Sequence, residues 1–410
     1  MLTCDLDSFR LPVACSSGEG FQMLYKLKIL ITGVFLILIS NKSFAFETIS
    51  KSAIIFDVNS KIFLMEKNAD MPLPPASMSK LMTLNMVFEA LEDGRLKLDD
   101  ILPVSKEAYE VGGSTMFLKL QDKVSVEDLI RGVVVLSGND ASVVLAEALS
   151  PDGTEKGFAS LMTKRAKAIG MTNSTFSNST GMPAKNHRMS VRDLIILSER
   201  LITVFPQYYG YFSEQEFRFR NRAPDNRFNR NPLLKMKLGA DGLKTGHTNE
   251  AGYGLVGSAV QGDRRIIFAI SGLASKATRE KEASRMALWA FRQFTSTNIA
   301  KKGQVIGRAP VWLGLSKDIQ MVAPSDINTL VPIHDKENIS LQIKYLSPIP
   351  APIKAKTKIA DLIVSIPGFK DASYPVVAGE TILQGNFWGR FKASATILGQ
   401  LLRDKVVNIF

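Results

Sequence analysis

Pro74 to Leu91 reads PPASMSKLMTLNMVFEAL: Ser77 stands three residues before Lys80, at the start of a helix-forming run that is apolar on most of its circumference. Gly94, just beyond, supplies a stop. Such a helix belongs at a domain's centre, with Ser77 at the mouth of its first turn and Lys80 one turn on, on the same face. Two more short patterns follow, Ser137-Gly138-Asn139 and Lys244-Thr245-Gly246, at intervals of 60 residues (77 to 137) and 107 (137 to 244). Ser-x-x-Lys alone arises by chance about once in a few hundred residues. Ser-x-Asn is commoner still and recurs at Ser296-Thr297-Asn298. The three together, in this order, carry the information.

A serine hydroxyl attacks a carbonyl poorly unless a base removes its proton. The chain has three histidines, His187, His247 and His334, and no G-x-S-x-G elbow to support a Ser-His-Asp system, so Lys80 is the base within reach. An amine of pKa about 10.4 stays protonated in neutral water. Burial and a second cation both lower it, and Lys244 is the natural second cation.

Ser-x-x-Lys, Ser-x-Asn and Lys-Thr-Gly form the motif set of penicillin-recognising serine enzymes. With the runs GGSTMFLK (112–119), LIRGVVVLSGNDA (129–141) and DGLKTGHTNEAGYGLVGSA (241–259), the chain resembles the low-molecular-weight penicillin-binding proteins that act as D-alanyl-D-alanine carboxypeptidases. The resemblance runs from about Ser52 to the C-terminus, strongest between Ala76 and Ser258 and weakest after Ile299. It implies a serine peptidase that removes the terminal D-alanine from peptidoglycan stem peptides through an acyl-enzyme on Ser77, and that β-lactams acylate at the same atom. Ser137 would relay a proton between Lys80 and the leaving amine, and Asn139 would hydrogen-bond the substrate amide. Lys244 would anchor the site electrostatically, Thr245 would touch the substrate, and Gly246 would let a strand edge approach the ligand's backbone. The oxyanion hole would come from the backbone N–H groups of Ser77 and His247, the imidazole itself not being required. Arg279, whose guanidinium fork suits a carboxylate, would take the substrate's free terminus. Arg230 and Asp193 also match family positions, and either is equally readable as a structural ion-pair member.

A β-lactamase, a DD-endopeptidase and a non-catalytic wall-binding protein are the rival readings. Class A lactamases use a glutamate between the second and third motifs to activate the deacylating water, and none lies between Lys156 and Ser198. An endopeptidase shares the chemistry, and the sequence barely separates it. The intact motif residues speak against a mere binding module. No metal-ligand constellation and no cofactor motif is visible.

At 410 residues the chain has room for two or three domains. Basic residues 24–28 (LYKLK), the apolar run Ile29–Ser40 and the small-residue end Ser43-Phe44-Ala45 form a signal peptide, leaving Phe46 as the mature N-terminus. The run is too short to span a membrane. Residues 1–22 do not fit that pattern, which points to Met23 as the translational start. Both cysteines, Cys4 and Cys15, fall there, so the exported chain would have no thiol. Removing residues 1–45 takes away 4 Lys/Arg and 3 Asp/Glu and leaves +11 of the chain's net +12. A basic exported protein suits an anionic surface; no nucleic-acid motif accompanies the charge.

The expected fold class is α/β (α+β): a penicillin-recognising catalytic domain over residues 46–298, a small all-β domain over 299–385, and an amphipathic helix over 386–410. An opening hairpin (Ala53–Asp57, Ile62–Glu66) and a second one (Gly252–Val260, Arg265–Gly272) would build one antiparallel sheet from both ends of the catalytic region. Helices are expected over Ala141–Leu149, Lys156–Ile169, Val191–Val204 and Arg279–Phe294. Short Val/Ile runs between Ile319 and Val377 carry no helical period. In the last stretch Phe387, Phe391, Leu398, Leu402, Val406 and Ile409 share one face, which suits either a docked terminal helix or an in-plane membrane anchor; the resemblance, with the basic charge, implies the anchor.

Overall fold

The computed structural model describes residues 46–222 and 226–385, so the expected signal peptide and the expected helix over 386–410 lie outside the described residues. Within them the chain forms β1 (Ser52–Asp57), β2 (Ile62–Lys67), a short pair β3 (Ile101–Pro103) and β4 (Lys123–Ser125), and then β5 (Ala240–Thr248), β6 (Gly252–Gln261) and β7 (Arg264–Leu273). The main sheet has the order β2-β1-β7-β6-β5, antiparallel throughout, so the first and last strands of the region lie side by side. The sheet is assembled from both chain ends, as expected, and β5 is its free edge.

Both faces of that sheet are covered, which is why β1 reads SAIIFD with every residue buried. Period-2 alternation divides its side chains between two cores. Ile54 and Phe56 join the helical side; Ala53 and Ile55 join the side covered by the Lys276–Arg292 helix. The larger core surrounds the Lys80–Glu92 helix, in which Leu81, Met82, Leu84, Val87, Phe88 and Ala90 are fully buried. This helix passes through the centre of the helical cluster, as its all-round apolarity requires.

Beyond the helix that ends at Arg292, the texture becomes all-β: β8 (Phe294–Ala300), β9 (Val305–Trp312), β10 (Asp318–Val322), β11 (Ile327–Pro332), β12 (Ser340–Lys344), β13 (Ile349–Pro350), β14 (Lys358–Ser365) and β15 (Ala372–Ala378). Six of them form a sheet in the order β12-β14-β15-β10-β9-β13, and β8 pairs with β11. The last expected helix of the catalytic region runs Lys276–Arg292 rather than Arg279–Phe294, because Ser275 caps it: its hydroxyl accepts from the Thr278 N–H at 3.1 Å. Phe294 therefore opens β8. The strands β8, β9 and β13 were not anticipated.

Candidate active site

The nucleophile helix begins differently from its expected form. Ala76–Ser79 is a 3₁₀ turn, and regular helix starts at Lys80. The tighter winding eclipses residues three apart, which brings Lys80 Nζ to 3.3 Å from Ser77 Oγ. Ala76, immediately before the serine, sits in the left-handed region at φ 49°. That conformation costs a residue with a side chain about 1–3 kcal/mol and persists only where surrounding structure enforces it.

The Lys80 amine is wholly buried. It donates to Ser77 Oγ, to Asn139 Oδ1 at 2.6 Å and to the Thr180 carbonyl at 2.5 Å. Three donors meet three acceptors. Burial pushes its pKa down to about 7, helped by the Arg230 charge and opposed by Glu155 and Asp140. Lys244 is likewise buried and pushed well below its ordinary value, first by burial and then by the charge on Lys80. Lys244, the cation expected from the sequence to lower Lys80, is not among the charges that move it. Burial dominates, and Arg230 is the cation that adds to the effect.

Ser125 caps the next helix, Val126–Arg131, by accepting from the Asp128 N–H at 3.2 Å. The chain then widens into one π turn, Gly132–Leu136, and ends on Ser137 in the left-handed conformation (φ 61°, ψ 34°). This break turns Ser137 inward, where its hydroxyl accepts from Lys244 Nζ at 2.9 Å. Asn139 opens the following helix with its carboxamide spanning two partners: the oxygen accepts from Lys80 and the nitrogen donates to the Gly112 carbonyl at 2.6 Å. Asp140 accepts from the N–H groups of Met116 and Leu118, which fastens the 112–118 loop to the same helix end.

Lys244, Thr245, Gly246 and His247 lie consecutively on the free-edge strand β5. Alternation sends Lys244 and Gly246 to the helical side. A side chain at Gly246 would meet the Pro75 carbonyl oxygen at 2.8 Å, Met78 Cγ at 3.1 Å and Ala76 Cβ at 3.2 Å. Its glycine thus admits the Ala76–Ser79 turn at close range. On the other face the exposed His247 ring stacks on Tyr253, its cross-strand partner, with centroids 3.9 Å apart. Arg279 lies over the same Tyr253 ring at 5.8 Å. This guanidinium is buried, its Nε has no hydrogen-bond partner, and no carboxylate pairs with it among the described residues. Its Nη2 donates to the Arg230 carbonyl at 3.5 Å. Asp193 is elsewhere, buried beneath its own helix start and accepting from Ser174 Oγ at 2.6 Å.

Two supporting groups went unread in the sequence. The Thr180 carbonyl holds Lys80 but is a main-chain atom, for which residue type gives no signal. Glu155 accepts from the N–H of Ser179 at 2.8 Å and from its hydroxyl at 2.5 Å, fixing the loop that presents Thr180. It stands one residue outside the window searched for a lactamase glutamate. Gly181 follows at φ 83°, and a side chain there would strike the Ala76 carbonyl oxygen at 1.9 Å.

Comparison with known proteins gives a family model described as D-alanyl-D-alanine carboxypeptidase, matching residues 40–274, and one described as penicillin-binding protein 5, C-terminal domain, matching residues 294–384. The chain is 34% identical over 350 residues to D-alanyl-D-alanine carboxypeptidase DacC of Escherichia coli K12, covering 83% of this chain and 86% of that one. The structure of penicillin-binding protein 5 from Haemophilus influenzae superposes with a TM-score of 0.71 at 30% identity, covering 82% of this chain and 98% of its own. Penicillin-binding protein D2 from Listeria monocytogenes, solved in an ampicillin-bound form, matches with a TM-score of 0.53 at 30% identity over 59% of this chain and 98% of its own.

Because Gly246 touches the nucleophile turn, Gly246→Ala should displace Ser77 from Lys80, and a misplacement of about 1 Å costs about 100-fold in rate. The expected outcome is at least a tenfold slower reaction of Ser77 with a fluorescent acylating reagent. Gly210→Ala, which meets nothing within 4 Å, should react at the wild-type rate.

Proposed function

The chain belongs to the family of D-alanyl-D-alanine carboxypeptidases and is a serine-type peptidase, and we propose that Ser77 is its nucleophile and Lys80, in its neutral form, the base. The observation that carries this division of roles is the wholly buried amine of Lys80, 3.3 Å from Ser77 Oγ and gripped by Asn139 and Thr180. Lys80 takes the Ser77 proton as Oγ attacks the carbonyl of the penultimate D-alanine. The developing oxyanion is met by the backbone N–H groups of Ser77 and His247. The leaving D-alanine nitrogen receives its proton through Ser137, whose hydroxyl is set by Lys244. Water then attacks the acyl-enzyme, freeing the shortened peptide and restoring the Ser77 hydroxyl. Asn139 acts first as a positioning residue for Lys80, with its second amide hydrogen available to the substrate backbone. Thr245 and Arg279 bind the substrate's terminal carboxylate. β-Lactams acylate the same Ser77.

Peptidoglycan stem peptides are the substrate class, which requires the enzyme outside the cytoplasmic membrane. Residues 23–45 direct export, residues 46–298 carry catalysis and 299–385 form the β-rich domain. The amphipathic sequence 386–410 holds the protein peripherally at the outer face of that membrane. No helix among the described residues is long and apolar enough to cross a membrane.

Ser77→Ala should abolish covalent fluorescent-penicillin labelling of the folded protein; persistent labelling would sink the nucleophile assignment. Since the unprotonated amine is the active form, kcat/KM should rise with pH through about 7 and level off above it. Lys80→Arg, which cannot give up its proton, should lose about 10²–10⁴-fold above pH 7, with the gap to the wild type narrowing at lower pH. Arg279→Ala should slow hydrolysis of peptides ending in a free carboxylate far more than of amidated analogues, read as the ratio of the two kcat/KM values. Truncation after Gly385 should leave a penicillin-binding protein that appears in the soluble fraction of cells. Equal solubility of the full-length chain would overturn the anchor.

A further inference from the structure

Arginines crowd one stretch, Phe217–Arg230, of which the catalytic reading uses Arg230 alone: Arg218, Arg220, Arg222, Arg227 and Arg230. Its described parts pair, Glu216 with Phe228, and the Phe217 N–H donates to the Arg227 carbonyl at 2.9 Å. Beneath it lies a cavity of about 150 Å³ with Met116, Leu136 and Phe219 among its apolar lining and Arg218, Arg222 and Arg227 among its polar lining. Two carboxylates serve the surrounding cations. Glu216 pairs with Arg218 and Arg227, and Asp122 pairs with Arg220 and Arg222. Four guanidiniums against two carboxylates leave a surplus of about two positive charges at the cavity. Asp140, also near, has its oxygens committed to the Met116 and Leu118 N–H groups. Arg227 Nε is buried, with Glu216 Oε1 at 3.3 Å as its ion-pair partner. Arg222 and Arg227 lie against the rings of Phe219 and Phe228, at 5.5 and 4.8 Å from the centroids.

The cavity abuts the catalytic residues. Leu136 immediately precedes Ser137. Asn226, which also lines the cavity, accepts from Arg230 Nη2 at 2.8 Å and donates to the Thr115 carbonyl at 2.9 Å. Arg230 in turn donates to Ser114 Oγ at 2.6 Å, on the loop whose Gly112 carbonyl holds Asn139.

We propose that this guanidinium-walled cavity is a second substrate-recognition site, taking a side carboxylate of the stem peptide upstream of its D-Ala-D-Ala end. The site rests on the carboxypeptidase reading, since its ligand is another part of that substrate. An apolar floor with surplus guanidiniums suits a carboxylate on a short methylene stem. The contribution is uniform binding, felt equally in ground and transition states, so it falls on KM and leaves kcat unchanged.

The test compares two synthetic peptides ending in D-Ala-D-Ala, one with an upstream glutamate and the other with glutamine in its place, on the full-length protein. The wild type should prefer the acidic peptide about tenfold in kcat/KM at low salt, through KM, and the preference should shrink as ionic strength rises. Arg218→Gln with Arg227→Gln should bring the ratio close to one. A wild type without the preference, or a double variant that retains it, overturns the site. Penicillin labelling separates this from the catalytic reading: the double variant should label at Ser77 like the wild type. Should it fail to label, the single variant Arg218→Gln decides by the same ratio, because that side chain is half exposed.

Discussion

A lysine ammonium removed from water is the constraint around which the site is arranged. Lowering the amine of Lys80 from 10.5 to about 7 corresponds to a penalty of about 5 kcal/mol on its charged form. Three oxygens from three separate elements surround the amine: in its neutral form its two N–H groups serve a carboxamide at the start of another helix and a main-chain carbonyl on the 177–187 loop, and its lone pair faces the hydroxyl on its own turn. The penalty on stability is fully present below pH 7 and is relieved as pH rises toward 10.5, since the unfolded chain then holds the proton that the folded one has lost. The fold therefore carries a cost at neutral pH that leaves the amine partly unprotonated there.

Geometry enforces that cost. Ala76 and Ser137, both in the left-handed region without being glycine, flank the two serines' approach to the lysines. The Ala76 turn is held by neighbours that come closer than a side chain would allow, Gly181 against the Ala76 carbonyl and Gly246 against Pro75, Met78 and Ala76 itself. The edge strand, the nucleophile turn and the 177–187 loop are thereby locked together at main-chain distance. Strain at one point is sustained by close packing at the others.

The sequence carried the elements of this site further than their arrangement. Residue types at Ser77, Lys80, Ser137 and Lys244 have few other uses in that order, so the sequence singled them out together, and the fold brings Ser77 to Lys80 and Ser137 to Lys244. The sheet built from both chain ends was legible because β1 and β7 keep continuous apolar runs. What escaped reading was tertiary or main-chain in origin. A 3₁₀ start looks like an α start in residue type, and the π turn before Ser137 reads simply as GVVVL. Glu155 looks like an ordinary acidic first-turn residue until its carboxylate is seen on Ser179. β8 was hidden by a helical pattern running on to Phe294, and β9 by Gly307 and Pro310, which read as turn residues although both pair within the sheet.

Cations outnumber carboxylates around the reacting serine: Lys80, Lys244, Arg230 and Arg279 act on one another, whereas Glu155 and Asp140 oppose them. This imbalance has two consequences that pull in opposite directions. It disfavours protonation of Lys244, and it leaves Arg279 without a carboxylate of the protein's own among the described residues. Once an anionic terminus arrives, the repulsion among the cations falls and Lys80 holds its proton more tightly. Separating the two duties resolves the conflict. Arg279 stands on the face of β5 shared with His247 and Tyr253, while Lys80 lies behind the edge strand on the helical side, held down chiefly by burial. Because desolvation rather than charge repulsion depresses Lys80, binding an anion on the far face of β5 perturbs the base only weakly. The depth of the Lys80 helix in the core is therefore a functional feature as much as a structural one.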